Sequence, residues 1–193
     1  MGIELKRFDQ IQSRTSGSRR NKDRKSHGCP IQKKCYPHAM QIVGVIPARY
    51  HSSRLDGKVL ASIAGQPMTQ HVWPIGKRAK SLDRVIIATD DHRIEAVASS
   101  FGAEVVMTDS EHRSGTDRVA QVTREINCDV IVNIQGDEPM LEPCMIDEVV
   151  AVFRDDQKTQ FATLAQLITN QDILCDPNVV KVVCDHKGNA LYF

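Results

Sequence analysis

The first group of residues that could do chemistry is a basic loop at residues 46–60. It holds three fixed cations within ten residues and two hydroxyl groups between them, namely Arg49, Arg54 and Lys58 with Ser52 and Ser53. Guanidinium groups bind phosphate oxygens through paired hydrogen bonds, and a lysine supplies a point charge. The loop is typical of a polyphosphate site. A solvated basic loop is the simpler alternative, because no Gly-rich Walker-type sequence is present.

An acidic turn over residues 133–139 follows the most apolar stretch of the chain. Its carboxylates are Asp137 and Glu138, and Asp137 is a candidate Mg²⁺ ligand. Mg²⁺ retains several waters and often takes only one or two carboxylates besides substrate phosphates, so a single aspartate is sufficient. The alternative is an ordinary turn, because Gly-Asp-Glu-Pro has turn composition.

Two further polar groups follow predicted strands. Thr89 and Asp90 precede Asp91, for which a helix-capping role is a better interpretation than catalysis. Residues 114–118, Ser-Gly-Thr-Asp-Arg, open a helix with small side chains, which leaves N–H groups free for a base or an anion. For the aspartate and arginine of this segment, first-turn charges are the simpler interpretation.

The basic loop, the strand-end aspartate and the helix start converge on nucleotidyl transfer. In that reaction a metal and fixed cations hold a triphosphate while an oxygen nucleophile attacks the α-phosphorus in line. The histidines His71, His92 and His112 are scattered, and none pairs with a nucleophile. A serine-hydrolase elbow, an HExxH motif and a dinucleotide GxGxxG motif are all missing from the sequence.

The elements that must position these residues alternate between strands and helices. Short apolar runs predict strands at residues 42–46, 85–88, 104–107, 130–134, 161–167, 179–184 and 190–193. Amphipathic spacing predicts helices at residues 92–101, 116–126 and 143–154. This alternation indicates βαβ units, and therefore an α/β fold with a mostly parallel sheet flanked by helices.

One expected helix is interrupted. Residues 67–80 should form the helix after the basic loop, yet Trp73-Pro74-Ile75-Gly76 lies inside them. A proline within a helix removes a hydrogen bond and clashes with the preceding turn, at a cost of about 3 kcal/mol. We expect the helix either to begin at Pro74 or to be kinked there.

The charge distribution divides the chain in two. Residues 1–40 carry ten basic and three acidic residues, net +7, whereas the remainder carries 15 basic and 21 acidic residues, net −6. The basic segment has too few apolar residues to offset its ordering entropy, so we predict a disordered extension at 1–40 and one domain at 41–193. No apolar run approaches the roughly 18 residues of a membrane span, and no secretory signal is visible. We therefore expect a cytoplasmic location and no membrane partner.

Residues 43–193 resemble the cytidylyltransferases that activate 3-deoxy-D-manno-octulosonate (Kdo), the CMP-Kdo synthetase family. The similar segments follow in order at 46–60, 86–91, 106–108, 114–119, 130–140, 176–183 and 190–193. The enzymes that activate sialic acid share the general plan but are less similar at 114–118 and 133–139. The resemblance implies a Rossmann-like fold of the nucleotide-diphospho-sugar transferase type, incomplete at the C-terminus.

The resemblance also implies a reaction and its residues. CTP and Kdo would give CMP-Kdo and pyrophosphate, for lipopolysaccharide or related Kdo glycan synthesis. Arg49, Arg54 and Lys58 match the residues that hold the CTP phosphates, the first and last as catalytic residues, with Ser52 and Ser53 supporting the loop. Four residues match positions that contact cytidine: Thr89, Asp90, Ser114 and Gly115. Gln135 matches a position near the sugar acid, and Asp137 matches the first Mg²⁺ ligand.

The sequence also departs from the family. Asp56 and Val59 replace two prolines that are common in the first loop, and Asp56 sets a negative charge beside Lys58. The family continues for roughly a third of its length beyond the equivalent of residues 192–193. That part carries a second metal-binding aspartate, most sugar-acid contacts and much of a homodimer surface. We therefore expect a C-terminally truncated chain that binds CTP weakly with Mg²⁺, shows no appreciable turnover and forms the family's homodimer poorly.

Other functions remain as alternatives. A nucleotidyltransferase for another sugar acid, such as sialic acid, would use the same loop, and so would a non-catalytic CTP-binding protein. Nucleic-acid binding by the basic extension ranks far below these, because Phe8 and Tyr36 are its only aromatic residues and support for base stacking is poor.

Overall fold

A computed structural model describes residues 3–7, 40–51, 55–112 and 114–193. Its strands are β1 (Ile3–Arg7), β2 (Ile42–Ala48), β3 (Ser62–Ile63), β4 (Gln66–Pro67), β5 (Arg84–Thr89), β6 (Glu104–Met107), β7 (Val130–Ile134), β8 (Phe161–Thr163), β9 (Val183–Cys184) and β10 (Ala190–Tyr192). Its α-helices are α1 (Met68–Arg78), α2 (His92–Ser100), α3 (Gly115–Glu125), α4 (Pro143–Asp155) and α5 (Gln171–Cys175), and Lys58–Leu60 form a 3-10 turn.

Six of these strands form one sheet in the order β6-β5-β2-β7-β1-β8. The pairs β2–β5, β5–β6 and β2–β7 are parallel, whereas β1 is antiparallel to both of its neighbours. The predicted α/β class with a mostly parallel sheet is confirmed. The strands predicted at 104–107 and 130–134 have the bounds observed for β6 and β7.

Apolar side chains cover both faces of the sheet because the central strands are apolar at successive positions. One face packs against α1, α2 and α4, and the other packs against α3. All five residues of β7 are buried, as are six of the seven residues of β2. Strands buried on both faces are a mark of parallel sheets with helices on each side.

Helix α1 runs without a break from Met68 to Arg78 with Pro74 inside it. The alternative in which the helix begins at Pro74 is therefore wrong. Pro74 has no N–H to donate to the carbonyl of Gln70, so one helical hydrogen bond is missing. The helix persists because it buries an apolar face that includes Val72 and Gly76 against the sheet.

The prediction of disorder for residues 1–40 is wrong at Ile3–Arg7, which form β1 between β7 and β8. The five residues alternate between apolar and charged types at their start, a period-2 pattern that suits a strand. Both neighbouring strands present backbone N–H and C=O groups that β1 pairs. Residues 8–39 of the predicted extension lie outside the described residues.

The part of the chain after α4 is largely exposed. The strand predicted at 161–167 is limited to β8, and the strand predicted at 179–184 is limited to β9, which pairs only with β10 in a separate two-stranded sheet. Leu167, Val180 and Leu191 have large exposed side chains there. Among the described residues, the helices are too short or too polar to cross a membrane.

Gly76 sets how closely α1 approaches the sheet, and its replacement provides a test. A Cβ there would lie 3.1 and 3.2 Å from the two methyl carbons of Val85 and 3.3 Å from Ile134 Cδ1. We expect Gly76→Ala to lower the free energy of unfolding by about 1–2 kcal/mol, because crowding outweighs the better helix propensity of alanine. Urea unfolding measures this change.

Lys77→Ala is the matched control, because Lys77 is the next residue of the same helix and is exposed. It should change the free energy of unfolding by less than about 0.5 kcal/mol. A stabilised Gly76→Ala protein would show that α1 does not pack closely on the sheet.

Candidate functional site

The carboxyl ends of β2, β5 and β7 lie side by side. Ala48, the last residue of β2, pairs with Thr89, the last residue of β5. On its other side β2 pairs with β7, and the chain order of the strands reverses between β2 and β7. In open α/β sheets such a reversal marks the crevice where ligands bind. The basic loop leaves β2 and the acidic turn leaves β7, so both border this crevice.

An ion pair joins the two loops across the crevice. Lys58 Nζ lies 2.7 Å from Asp137 Oδ2, and the two side chains are 40% and 43% exposed. The residues are 79 positions apart in sequence. The structure therefore brings together the predicted phosphate-binding lysine and the predicted metal ligand. Because water reaches both groups, the pair is weak enough for a ligand to replace either partner.

The described part of the basic loop folds back on itself at Gly57. This residue has φ +66°, and its N–H donates to the carbonyl oxygen of Tyr50 at 2.7 Å. A Cβ at Gly57 would lie 3.1 Å from the Tyr50 ring, so a side chain is excluded by conformation and by space. Arg93 of α2 covers that ring, with its guanidinium carbon 3.4 Å from the ring centroid. Helix α2 thereby anchors the loop.

Of the predicted loop residues, Arg49 is exposed at the end of β2. Lys58 begins the 3-10 turn. Ser52, Ser53 and Arg54 lie outside the described residues.

Two glycines close the floor of the crevice around Pro47. A Cβ at Gly136 would lie 3.0 Å from the Pro47 carbonyl oxygen, and a Cβ at Gly115 would lie 3.2 Å from Pro47 Cγ. Larger residues would force the turn after β7 and the start of α3 away from β2. Because both residues are glycines, the end of β2, the turn after β7 and the start of α3 can lie close together.

Arg118 is the site residue whose role the sequence interpretation missed. It is not an ordinary first-turn charge, because its side chain is only 2% exposed. Its Nη2 donates to Asp90 Oδ2 at 2.7 Å, and its Nη1 donates to Thr108 Oγ1. The Thr108 hydroxyl donates in turn to the Thr89 carbonyl oxygen at 3.1 Å. Arg118 precedes Val122 by one helical turn, and this spacing was the signal for a buried position.

The predicted capping role of Asp91 is confirmed. Asp91 Oδ1 accepts hydrogen bonds from Arg93 N and Arg93 Nε, both at 2.9 Å, and Oδ2 accepts from Arg93 Nη2 at 2.6 Å. The guanidinium of Arg93 and the helix N–H stabilise the carboxylate. They lower the pKa of Asp91 to about 2.

Ser114 is the N-cap of α3 and forms a capping box with Asp117. Ser114 Oγ accepts from Asp117 N at 3.1 Å and donates to Asp117 Oδ2 at 2.7 Å. The hydroxyl is therefore engaged with its own helix, which fixes the N-terminal turn beside the crevice.

Gln135 follows β7 and leads into the acidic turn. Its Nε2 lies 3.4 Å from Asn133 Oδ1, a long hydrogen bond. The side chain is partly exposed, in contrast to the buried side chain of Asn133. The amide of Gln135 is thus available at the same strand end as Asp137.

Comparison with known proteins identifies relatives of most of the chain. A family model described as "Cytidylyltransferase" matches residues 43–193. The 3-deoxy-manno-octulosonate cytidylyltransferase of Geobacter metallireducens is 48% identical over 154 residues, which are 80% of this chain and 61% of the relative. The enzyme of that name from Syntrophotalea carbinolica is 51% identical over 80% of this chain and 62% of its own length. The chain thus spans about three-fifths of the length of these relatives.

Solved structures agree with these matches. A structure of CMP:2-keto-3-deoxy-manno-octonic acid synthetase complexed with CTP has a TM-score of 0.76 and 41% identity, covering 79% of this chain and 63% of that one. A cytidylyltransferase from Leptospira borgpetersenii has a TM-score of 0.56 and 24% identity, covering 62% of this chain and 51% of that one, and shows a shared fold.

The capping carboxylate of α2 gives a prediction about pH. Asp91→Ala should lower the free energy of unfolding by about 1 kcal/mol near pH 7, because the N-cap is lost. The pKa of Asp91 is lowered from 3.8 to about 2, so the stability that its charge contributes is present above pH 3.8. That contribution is lost as the pH falls through about 2. Urea unfolding at several pH values measures how the difference from the unaltered protein shrinks over this window.

Asp91→Asn is the companion variant. Asparagine caps helices about as well as aspartate, so this variant should lose less stability than Asp91→Ala near pH 7. A stability difference between Asp91→Ala and the unaltered protein that stays constant down to the lowest pH would contradict the assignment.

Proposed function

The chain belongs to the cytidylyltransferase family, and we propose that its site binds CTP with a divalent metal ion and transfers CMP to Kdo, releasing pyrophosphate. The observation that carries this proposal is the Lys58–Asp137 ion pair, because it joins the lysine expected to bind phosphate to the carboxylate expected to bind the metal ion. The similarity to the CTP-complexed synthetase supports the choice of nucleotide. The names of the curated relatives support Kdo as the acceptor.

The cations of the basic loop would hold the triphosphate. Arg49 stands at the end of β2, and Lys58 stands on the far side of the same loop. Fixed cations at this position stabilise the charge that develops on the phosphate oxygens during in-line attack. Arg54, with Ser52 and Ser53, completes this set in the proposal.

Asp137 fits a Mg²⁺ ligand because its carboxylate oxygen is hard, accessible and already faces a cation, the Lys58 ammonium. When bound there, Mg²⁺ would polarise the α-phosphate and offset its charge. Lys58 would then leave Asp137 and bind phosphate oxygens. One internal ion pair would in this way be replaced by two contacts with the metal-bound nucleotide.

The remaining predicted residues would bind the base and the acceptor. Thr89, Asp90, Ser114 and Gly115 lie at the ends of β5 and the start of α3, where the cytidine would be held. Gln135 lies beside Asp137 and would contact the sugar acid. A homodimer, a cytoplasmic location and a role in lipopolysaccharide synthesis stay predictions of the family resemblance.

Calorimetric titration of CTP, with and without Mg²⁺, tests this proposal. Asp137→Asn should weaken CTP binding in the presence of Mg²⁺ by roughly 10-fold to 100-fold, the range for losing an interaction with a charged group. Binding without Mg²⁺ should not weaken, because Lys58 is then released from its partner. Pyrophosphate release with CTP, Kdo and Mg²⁺ measures the transfer step, and robust turnover would overturn the expectation that this chain binds CTP without appreciable turnover.

Asp155→Asn is the control, because Asp155 is an exposed carboxylate at the far end of α4. It should leave CTP binding unchanged. Full enhancement of CTP binding by Mg²⁺ in Asp137→Asn would refute the metal assignment. Preference for UTP or GTP would refute the nucleotide assignment, and preference for sialic acid over Kdo would refute the acceptor.

A further inference from the structure

One of the two oxygens of the Asp90 carboxylate has a hydrogen-bond partner. Its Oδ2 accepts the hydrogen bond from Arg118 Nη2, and among the described residues no donor contacts its Oδ1. The Asp90 side chain is 18% exposed, whereas that of Arg118 is 2% exposed. One oxygen is therefore fixed toward the interior while the carboxylate remains accessible to a ligand.

Asp90 stands at the crevice because of its place in the sheet. It follows Thr89, the last residue of β5, which pairs with Ala48, the last residue of β2, so Asp90 and the basic loop leave neighbouring strand ends. A nucleotide whose phosphates contact that loop would place its base within reach of the neighbouring strand ends.

Arg118 cannot easily turn away from Asp90. Its guanidinium fork also donates to Thr108 Oγ1, and Thr108 is tied to the end of β5 by its backbone N–H, 2.8 Å from the Thr89 carbonyl oxygen. A buried guanidinium that lost its carboxylate would be an uncompensated charge. The fork thus fixes the orientation of the Asp90 carboxylate.

We propose that Arg118 is a positioning residue for base selection, which leaves one oxygen of Asp90 as the acceptor for the 4-amino group of cytosine. This inference rests on the proposed binding of CTP. A carboxylate accepts a hydrogen bond from the cytosine amino group. Uracil has a carbonyl oxygen at that position, so UTP would place two acceptors against each other. The same carboxylate thereby favours CTP and disfavours UTP.

Asp90→Asn is the decisive variant because it preserves shape and reverses one hydrogen-bonding role. Arg118 has only donors, so it holds the oxygen of the asparagine amide and leaves the NH₂ group for the base. The exposed group changes from an acceptor to a donor, which suits uracil. We expect Asp90→Asn to lose about 10-fold in CTP affinity and to gain about 10-fold in UTP affinity.

A second variant tests the part played by Arg118. Lysine keeps the charge but cannot donate to Thr108 and Asp90 in the same fork geometry. In the Asp90→Asn background, Arg118→Lys should therefore reduce the gain in UTP affinity, because the amide is no longer held in one orientation. Arg124→Lys on the exposed side of α3 is the matched control and should leave the preference of Asp90→Asn unchanged.

The measurements are calorimetric titrations of CTP and UTP with Mg²⁺ on the full chain, with urea unfolding to show that each variant is folded. Inverted preference in Asp90→Asn, weakened by Arg118→Lys, supports the inference. A folded Asp90→Asn protein that still prefers CTP overturns it, while CTP binding by the unaltered chain leaves the proposed function standing. Failure of the unaltered chain to bind either nucleotide overturns both.

Discussion

Strands β2, β5 and β7 are covered on both faces of the sheet, so this part of the chain is accessible to water mainly where the strands end. This constraint arises from the apolar residues at successive positions, which require helices on each side of the sheet. The segments that leave the strands carry the charged residues Arg49, Lys58, Asp90 and Asp137. Because the three strands are parallel, those segments gather at one edge. The crevice is a consequence of how the core is buried.

Two aspartates at this edge have cationic partners of very different kinds. Asp90 is paired with a buried arginine that holds it through a fork, whereas Asp137 is paired with an exposed lysine on a flexible stem. The first arrangement suits a group that must keep one orientation, and the second suits a group that must change partners. In the proposed site, this difference in burial would separate base recognition at Asp90 from the exchange of partners at Asp137.

The sequence was sufficient for the central elements because their signals are local. β6 and β7 are short apolar runs, and α2 and α4 have regular apolar spacing, so no distant contact is needed to predict them. For helix α1 the sequence left two alternatives at Pro74, because the packing that stabilises the helix there is contributed by the sheet. The strand β1 was missed because five residues have no local signal strong enough to outweigh a polar, basic neighbourhood.

The site was predictable as separate motifs but not as an arrangement. The basic loop and the acidic turn could each be recognised by composition, yet their contact spans 79 residues and depends on strand order. Arg118 has the sequence signature of a charged helix start, and only the tertiary structure shows it buried against β5 and β6.

The pairing of strand β1 depends on the order in which the chain is synthesised. Both of its partners, β7 and β8, are encoded more than 120 residues after it. At ribosomal rates, that stretch takes roughly 6–25 s to synthesise. β1 is therefore synthesised well before both of its partners and joins the sheet late.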